Sequence, residues 1–386
     1  MVSSCLFWIS AFVIIWAMGG YSASLKVLGK IYKNRKLKKN RSYFPKVSVL
    51  IVAHNEENVI LDKLNNVLEH DYPKELVEYI IASDFCTDRT NQIVTEFIEA
   101  HPEERMILYK SKEHKGKTNA QNEARKLASG EILVMTDANS MFDKAAISEL
   151  VSCFTEEDVA YVTGKLVYKN ADTNSTAFSE SSYWERDLTQ REIESNICTI
   201  TAGNGAIYAC RNSCYYDFEP IECHDLSMPY YFAKNGMRAI YNPDAVAYEK
   251  AGETTEDEYK RKVRMNRTIL QSVRDGIKVL DVRKYGWFSY FYFGHRTCRY
   301  LLWLAHAVVF IISLCKAKKS LFYKISLYGQ SIFYVVAIVN HFAQRTNKFL
   351  NMMTYYSMTI LAQWKGVINS LTGRSKPVWE KAKSTR

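Results

Sequence analysis

From Val47 to Phe154 the chain alternates short, β-branched apolar runs with amphipathic stretches, and no other feature limits its possible folds as strongly. Val47-Ser-Val-Leu-Ile-Val-Ala53 has the length and branching of a strand. The stretch Glu57 to Glu69 then sets Val59, Ile60, Leu64, Val67 and Leu68 along one helical stripe. The same alternation recurs in Glu78 to Ser83 then Asp88 to Ala100, in Met106 to Lys110 then Lys117 to Ala128, and in Glu131 to Thr136 then Asp143 to Phe154. Four successive strand–helix units predict an α/β domain, a doubly wound and mostly parallel sheet with helices on both faces. Ligands of such sheets bind beyond the carboxyl ends of the strands.

The residues that follow each predicted strand are therefore the informative ones. They are His54, Asn55 and Glu56, then Asp84 and Asp88, then Lys112, Lys115 and Lys117, then Asp137-Ala138-Asn139. Singly, each is an ordinary loop residue, and Asp88 and Asp143 read as helix caps. Together they arm one edge with carboxylates suited to a divalent cation and lysines suited to phosphates, the donor set of a diphosphate ligand with its metal.

Charge separates this domain from its flanks. Residues 1–46 hold nine Lys/Arg and no acidic residue, 47–283 hold 27 against 40, and 284–386 hold 15 against one. The overall formal charge of +10 thus does not describe the domain, which is acidic. A nucleic-acid groove needs basic residues on the folded domain itself, so no nucleic-acid partner is expected. Met1 to Leu25 carries no charge and is long enough to cross a bilayer, and Lys26, Lys30, Lys33, Arg35, Lys36, Lys38, Lys39 and Arg41 follow it at once. That order reads as a transmembrane helix that keeps the next domain in the cytosol. A cleaved signal peptide is the alternative, but the start lacks a basic n-region. Near the other end lie apolar stretches Tyr300 to Cys315, Ile325 to Gln344 and Phe349 to Trp364. We read these as two spans and one interfacial helix, with three spans as the competing count. Aromatics from Tyr285 to Phe293 suit the headgroup zone. The expected organisation is a transmembrane helix (1–25), a basic linker (26–46), the α/β domain (47–283, halves 47–142 and 143–283), an interfacial segment (284–298), membrane helices (299–372) and a basic cytosolic tail (373–386). Nine Cys suit a reduced compartment, and Cys210, Cys214, Cys223 and His224 match no standard zinc spacing.

The ordered set His54-Asn55-Glu56-Glu57, Asp84-Phe-Cys-Thr-Asp88, Gly116-Lys117-Thr-Asn119-Ala120-Gln-Asn122 and Thr136-Asp137-Ala138-Asn139 resembles the donor half of family-2 inverting glycosyltransferases, a Rossmann-like GT-A fold. Gly203-Asn204-Gly205-Ala206, His224-Asp225-Leu226-Ser227-Met228-Pro229, Asn242 to Glu249 and Arg261-Lys-Val-Arg264 continue it. The tail through Val378-Trp379-Glu380 is similar to membrane-bound synthases of exopolysaccharides such as poly-N-acetylglucosamine. The resemblance implies a UDP-sugar donor, a glycan or lipid-linked acceptor, membrane lipids as surroundings and polysaccharide export partners. It places His54, Asn55 and Glu56 against the nucleoside, Asp84 on the uracil and Lys117 on the diphosphate. Asp137, with Asn139, becomes the site of Mg²⁺ or Mn²⁺, and Asp225 the general base that deprotonates the acceptor. Arg261 and Arg264, three apart on a predicted helix 255–276, reach the same phosphates; a solvated basic face is the alternative, since Lys260, Lys262 and Arg267 lie in the same run.

Three positions depart from the family pattern. Asn139 stands where a second Asp is common and lowers the charge of the metal motif by one. His224 replaces the acidic residue that usually precedes the base and is placed to tune Asp225. Met265 replaces the Trp of processive synthases, which favours transfer of a single sugar to a polyprenyl-phosphate or lipid-linked acceptor as the second reading. A silent scaffold that only binds nucleotide sugar is the third. Phe178, Tyr183 and Trp184 offer either a sugar-stacking face or core.

Overall fold

The computed structural model describes residues 1–32, 37–169, 175–250, 255–343 and 347–378, with 175–183 and 255 as backbone only. Lys33, Arg35 and Lys36, the side chains of Phe178 and Tyr183, and the tail from Trp379 lie outside the described residues. The chain divides into two compact units, a sheet unit (29–169, 185–251 and 376–386) and a helical unit (1–28, 170–184 and 252–375).

The sheet unit is built on eight strands: β1 (Val47–Ala53), β2 (Val77–Ser83), β3 (Met106–Lys110), β4 (Ile132–Asp137), β5 (Met141–Phe142), β6 (Val159–Tyr168), β7 (Ile207–Arg211) and β8 (Arg238–Glu249). Their order across the sheet is β3-β2-β1-β4-β7-β6-β8-β5. Every residue of β1 is buried, as a central strand covered on both faces requires. The first four strands run parallel as expected, with helices Ile60–Leu68, Thr90–Ala100 and Lys117–Arg125 between them. The sheet as a whole is mixed, because β7 enters antiparallel between β4 and β6, and β5 pairs antiparallel with the end of β8. This reversal positions the site. A strand antiparallel to β4 begins where β4 ends, with Ile207 opposite Thr136. Residues 203–206, which precede β7, are thereby brought to the edge where Asp137 emerges. The β5–β8 pairing, Met141 opposite Tyr248, does the same for Glu249.

Three of the four expected helices begin later than the periodicity predicts, at Ile60, Thr90 and Ala146, while the third in order begins at Lys117 as expected. Asp88 Oδ1 accepts from Thr90 N (3.0 Å) and Asp143 Oδ1 from Ala145 N (3.1 Å), each just ahead of a helix. The linker is clamped to the sheet unit by charge: Lys38 to Glu156, Lys39 to Glu149 and Asp244, and Arg41 to Glu149.

In the helical unit, two helices among the described residues are long and apolar enough to cross a membrane, Val2–Ile31 and Leu321–Ala343. The pair Trp287–Tyr300 and Leu302–Lys316, bent by 59°, supplies a third if it forms one broken span. Helix Lys348–Leu371 is long but does not share that apolarity. Helix Thr255–Met265, followed by a tighter turn at Asn266–Thr268, also groups with this unit rather than with the sheet.

Candidate active site

At the carboxyl edge of β1 and β2 the two loops are tied together through side chains. Asn55 Oδ1 accepts from Thr87 N (2.7 Å), Glu56 N donates to Thr90 Oγ1 (2.8 Å) and Glu57 N to Asp88 Oδ2 (3.2 Å). Asn55 (φ 55°) and Phe85 (φ 54°) are the described non-glycine residues with positive φ, and both sit at this edge. Backbone strain of that kind persists where the surroundings over-determine it, commonly at functional sites. Glu56 is buried and Phe85 exposed.

Asp84 is fully buried, and its carboxylate is met from within the protein. Oδ2 accepts from Gly116 N (2.9 Å) and His114 Nδ1 (2.8 Å), and Oδ1 from Lys115 N (3.2 Å). His54 Nδ1 donates to the Asp84 carbonyl at 2.6 Å, and the His54 and His114 rings stack with centroids 3.9 Å apart. Because a carboxylate and a carbonyl only accept, both imidazoles carry hydrogen on Nδ1 and present Nε2 outward. Asp84 thus shapes the loop 111–116 that leads into helix Lys117–Arg125. His54, Asp84 and His114 are also close enough to hold a metal. The parallel stacking does not favour this, since the lone pairs of stacked rings run alongside one another instead of converging.

The second half of the site is centred on Lys117. Its Nζ lies 2.5 Å from Asp137 Oδ1 and donates to the Gly205 carbonyl at 3.0 Å. A Cβ on Gly205 would stand 3.2 Å from Lys117 Nζ and 3.6 Å from Asp225 Cγ. Gly203 N donates to the Asp225 carbonyl at 2.6 Å, which fixes the first turn of helix His224–Lys234. One ammonium is therefore shared between Asp137 and the glycine loop that borders Asp225. The Pro377 carbonyl lies against Gly116 (φ 93°), where a Cβ would stand 2.6 Å away.

The oxygen donors around Asp137 suit a hard divalent cation. Asp137 is part-exposed and already holds a cationic group, and Asn139 turns its NH₂ toward Glu249 (2.5 Å), which leaves the amide oxygen for a ligand. The expected residues fit such an ion. Beneath them lies a residue that sequence reasoning missed. Lys63 is wholly buried, its Nζ donating to Thr136 Oγ1 (2.9 Å) and to the Ser140 carbonyl, with the Phe142 ring centroid at 4.1 Å. Burial pushes its pKa down to about 7 against the pull of Asp137 and Glu249. The signal was present in the sequence: Ile60, Lys63, Leu64 and Val67 follow the i, i+3, i+4, i+7 spacing of a buried stripe, and one of the four is a lysine.

His224 does not act on Asp225 as a charged neighbour. It is buried, with Nδ1 against Gln121 Oε1 (2.7 Å) and Nε2 against Asn122 Oδ1 (3.1 Å) and the Tyr215 hydroxyl (3.2 Å). Burial, helped by Lys117, pushes its pKa down to about 3, so it is neutral at physiological pH and joins helix Lys117–Arg125 to helix His224–Lys234. The folded state thus binds this proton less readily than the unfolded state. The stabilisation is complete above pH about 6.5 and is lost as pH falls toward 3. His224→Gln is expected to lower the melting temperature at pH 7.5 yet flatten its decline between pH 6.5 and 4.5; parallel wild-type and variant profiles would contradict this.

Arg261 and Arg264 lie in the helical unit. The Arg261 guanidinium holds Glu258 through Nε (2.7 Å) and Nη2 (3.0 Å), and Tyr355 donates to the same carboxylate at 3.1 Å. Glu258 is buried, and these partners with Lys262 keep it well below the usual carboxylate range despite that burial.

Residues 45–268 match the family described as "Glycosyltransferase like family 2". A probable glycosyltransferase, YdaM, of Bacillus subtilis (strain 168) is 34% identical over 173 residues, 44% of this chain and 40% of that protein. A poly-beta-1,6-N-acetyl-D-glucosamine synthase of Staphylococcus epidermidis is 32% identical over 125 residues, 32% of this chain and 29% of the synthase. The matched segment thus spans well under half the length of these two relatives. The solved structure of the mannosyltransferase PcManGT from Pyrobaculum calidifontis, in complex with GDP-Man and Mn²⁺, shares the fold at a TM-score of 0.73 and 20% identity, covering 96% of this chain and 99% of that one. The GT-A architecture, the ordered motifs at one sheet edge and a family match over more than half its length place this chain in glycosyltransferase family 2, as a transferase enzyme.

Proposed function

We propose that the protein is a membrane-bound, inverting glycosyltransferase that moves a sugar from a UDP-sugar onto a growing cell-surface glycan. The observation that carries this reading is the shared ammonium of Lys117, which joins the Asp137 edge to the loop bordering Asp225. Donor and base then flank one point, as a single in-line displacement requires. His54, Asn55 and Glu56 border the nucleoside, and Asp84 is assigned to the uracil by resemblance, its carboxylate also accepting from His114, Lys115 and Gly116. Asp137 and the amide oxygen of Asn139 would hold Mg²⁺ or Mn²⁺. That ion, when bound, neutralises charge on the departing nucleotide. Lys117 gives up Asp137 and turns to the diphosphate, while Asp225 removes the proton of the attacking hydroxyl. Arg261 and Arg264 are assigned to the same diphosphate by resemblance.

The apolar Val2–Ile31, with Lys26 and Lys30 exposed in its last turns, supports anchoring with the sheet unit on the cytosolic side. We read 47–283 as the transferase domain and the helices after it as membrane anchors beside an export route. Met265 in place of the processive Trp supports a second reading, transfer of one sugar to a lipid-linked acceptor. Membranes incubated with Mn²⁺ and a panel of radiolabelled UDP- and GDP-sugars decide between them. Label in high-molecular-mass product is the expected result. Label confined to the lipid extract would select the second reading, and no label with any donor would leave only a silent binding protein.

A further inference from the structure

The metal motif lacks the second carboxylate common at its third position, yet a carboxylate stands directly behind it. Glu249, the last residue of β8, is carried there by the antiparallel pairing of Met141 with Tyr248. Its Oε1 accepts from Asn139 Nδ2 at 2.5 Å and from Ser140 Oγ at 3.3 Å. The orientation of Asn139 follows from chemistry: a carboxylate only accepts, so the NH₂ must face Glu249 and the amide oxygen must face away. A negative charge against the NH₂ group also polarises the amide and makes that oxygen a better donor to a cation. Lys63 clamps the same turn from the opposite side through Thr136 and Ser140, which allows Asp137 and Glu249 to sit near one another. The turn 137–140 is thus held from one side by the buried Lys63 amine and from another by an acid contributed more than a hundred residues later.

We propose that Glu249 is a positioning residue of the cation site: it fixes Asn139 with its carbonyl oxygen outward and returns to the Asp137-Ala138-Asn139 turn the negative charge that Asn139 lacks. This rests on the reading of Asp137 and Asn139 as the cation's ligands. Groups that orient a metal ligand in this way typically change metal affinity by about 10- to 100-fold when removed.

The test is a double-mutant cycle on the purified full chain in detergent, with Mn²⁺ titrated in the presence of UDP and followed by calorimetry and by the thermal shift that Mn²⁺ produces. Glu249→Gln is expected to raise the Mn²⁺ concentration for half-effect by about 10-fold or more. Asn139→Asp combined with Glu249→Gln reverses the polarity of the pair, the amide now donating from position 249 to a carboxylate at position 139, and should restore the wild-type value to within roughly threefold. A Glu249→Gln value equal to wild type overturns the proposal, and so does a double variant no better than Glu249→Gln alone. If the wild type shows no Mn²⁺ effect, the cation site itself is wrong; a wild-type effect that Glu249→Gln leaves unchanged removes only the role of Glu249. Should Glu249→Gln fail to fold, Asn139→Asp alone carries the test. It sets two carboxylates against each other, so Mn²⁺ should raise its melting temperature by more than it raises that of the wild type, and an equal shift overturns the proposal.

Discussion

Asp225→Asn is expected to stop turnover while leaving nucleotide-sugar binding nearly intact. The substitution is isosteric, and the backbone contact that fixes this turn, Gly203 N to the Asp225 carbonyl at 2.6 Å, does not involve the side chain. What is lost is the role proposed for Asp225, accepting the proton of the attacking hydroxyl. General-base catalysis typically contributes about 10²- to 10⁴-fold, so kcat should fall by at least the lower figure. The Kd for UDP should move by less than about threefold, since the donor contacts assigned to His54, Lys117 and Asp137 remain. Equal losses in kcat and in UDP binding would mean that Asp225 belongs to the donor pocket instead.

Gly203→Ala should be nearly as damaging, for a packing reason. A Cβ at this position would overlap the Tyr161 hydroxyl and stand 2.6 Å from its Cζ. Tyr161 cannot yield easily: it is fully buried and stacks on Tyr208 with centroids 5.3 Å apart. Either the ring moves, at the cost of the core beneath the sheet, or the loop 203–206 lifts and takes the Asp225 turn with it. Overpacking of this kind costs about 1–3 kcal/mol and sometimes more, and an overlap this deep belongs at the upper end. Expected together are a melting temperature lower by several degrees and a kcat reduced by at least about tenfold, since a small misplacement of a catalytic group is enough to lower rate. Unfolding followed by circular dichroism, beside a turnover assay, checks both; a variant with wild-type stability and rate would show that the loop is not held as described.

Much of this site was legible because its chemistry follows strands of simple pattern. β1 and β3 run over the residues that periodicity assigns to them, and the loops after β1 to β4 carry the polar residues that the sequence sets there. Helix starts were less legible. The backbone of Glu56 and Glu57 is engaged by Thr90 and Asp88 across the edge, which delays the first helix to Ile60. Strand direction was not legible at all. Ile207-Tyr-Ala-Cys-Arg211 is a short run whose sequence holds no sign of running antiparallel, because its partners lie far away in the chain. For the same reason the roles of Lys63 and Glu249 were hidden: one was concealed in an ordinary amphipathic stripe, and the other needed the β5–β8 pairing to reach Asn139. His224 illustrates the converse. Its sequence position suggests influence on Asp225, but its ring nitrogens face Gln121, Asn122 and Tyr215, and burial keeps it neutral.

The proposed nucleotide site on Asp137 and Lys117 is cation-dependent. Calorimetric titration of UDP into the wild type and Asp137→Ala, each with Mn²⁺ and again with EDTA, tests it without knowledge of the acceptor. Tight binding is expected only for the wild type with Mn²⁺, and weak, EDTA-insensitive binding for the variant. Wild-type affinity that is the same in EDTA, or an Asp137→Ala protein that still gains affinity from Mn²⁺ as the wild type does, would contradict it.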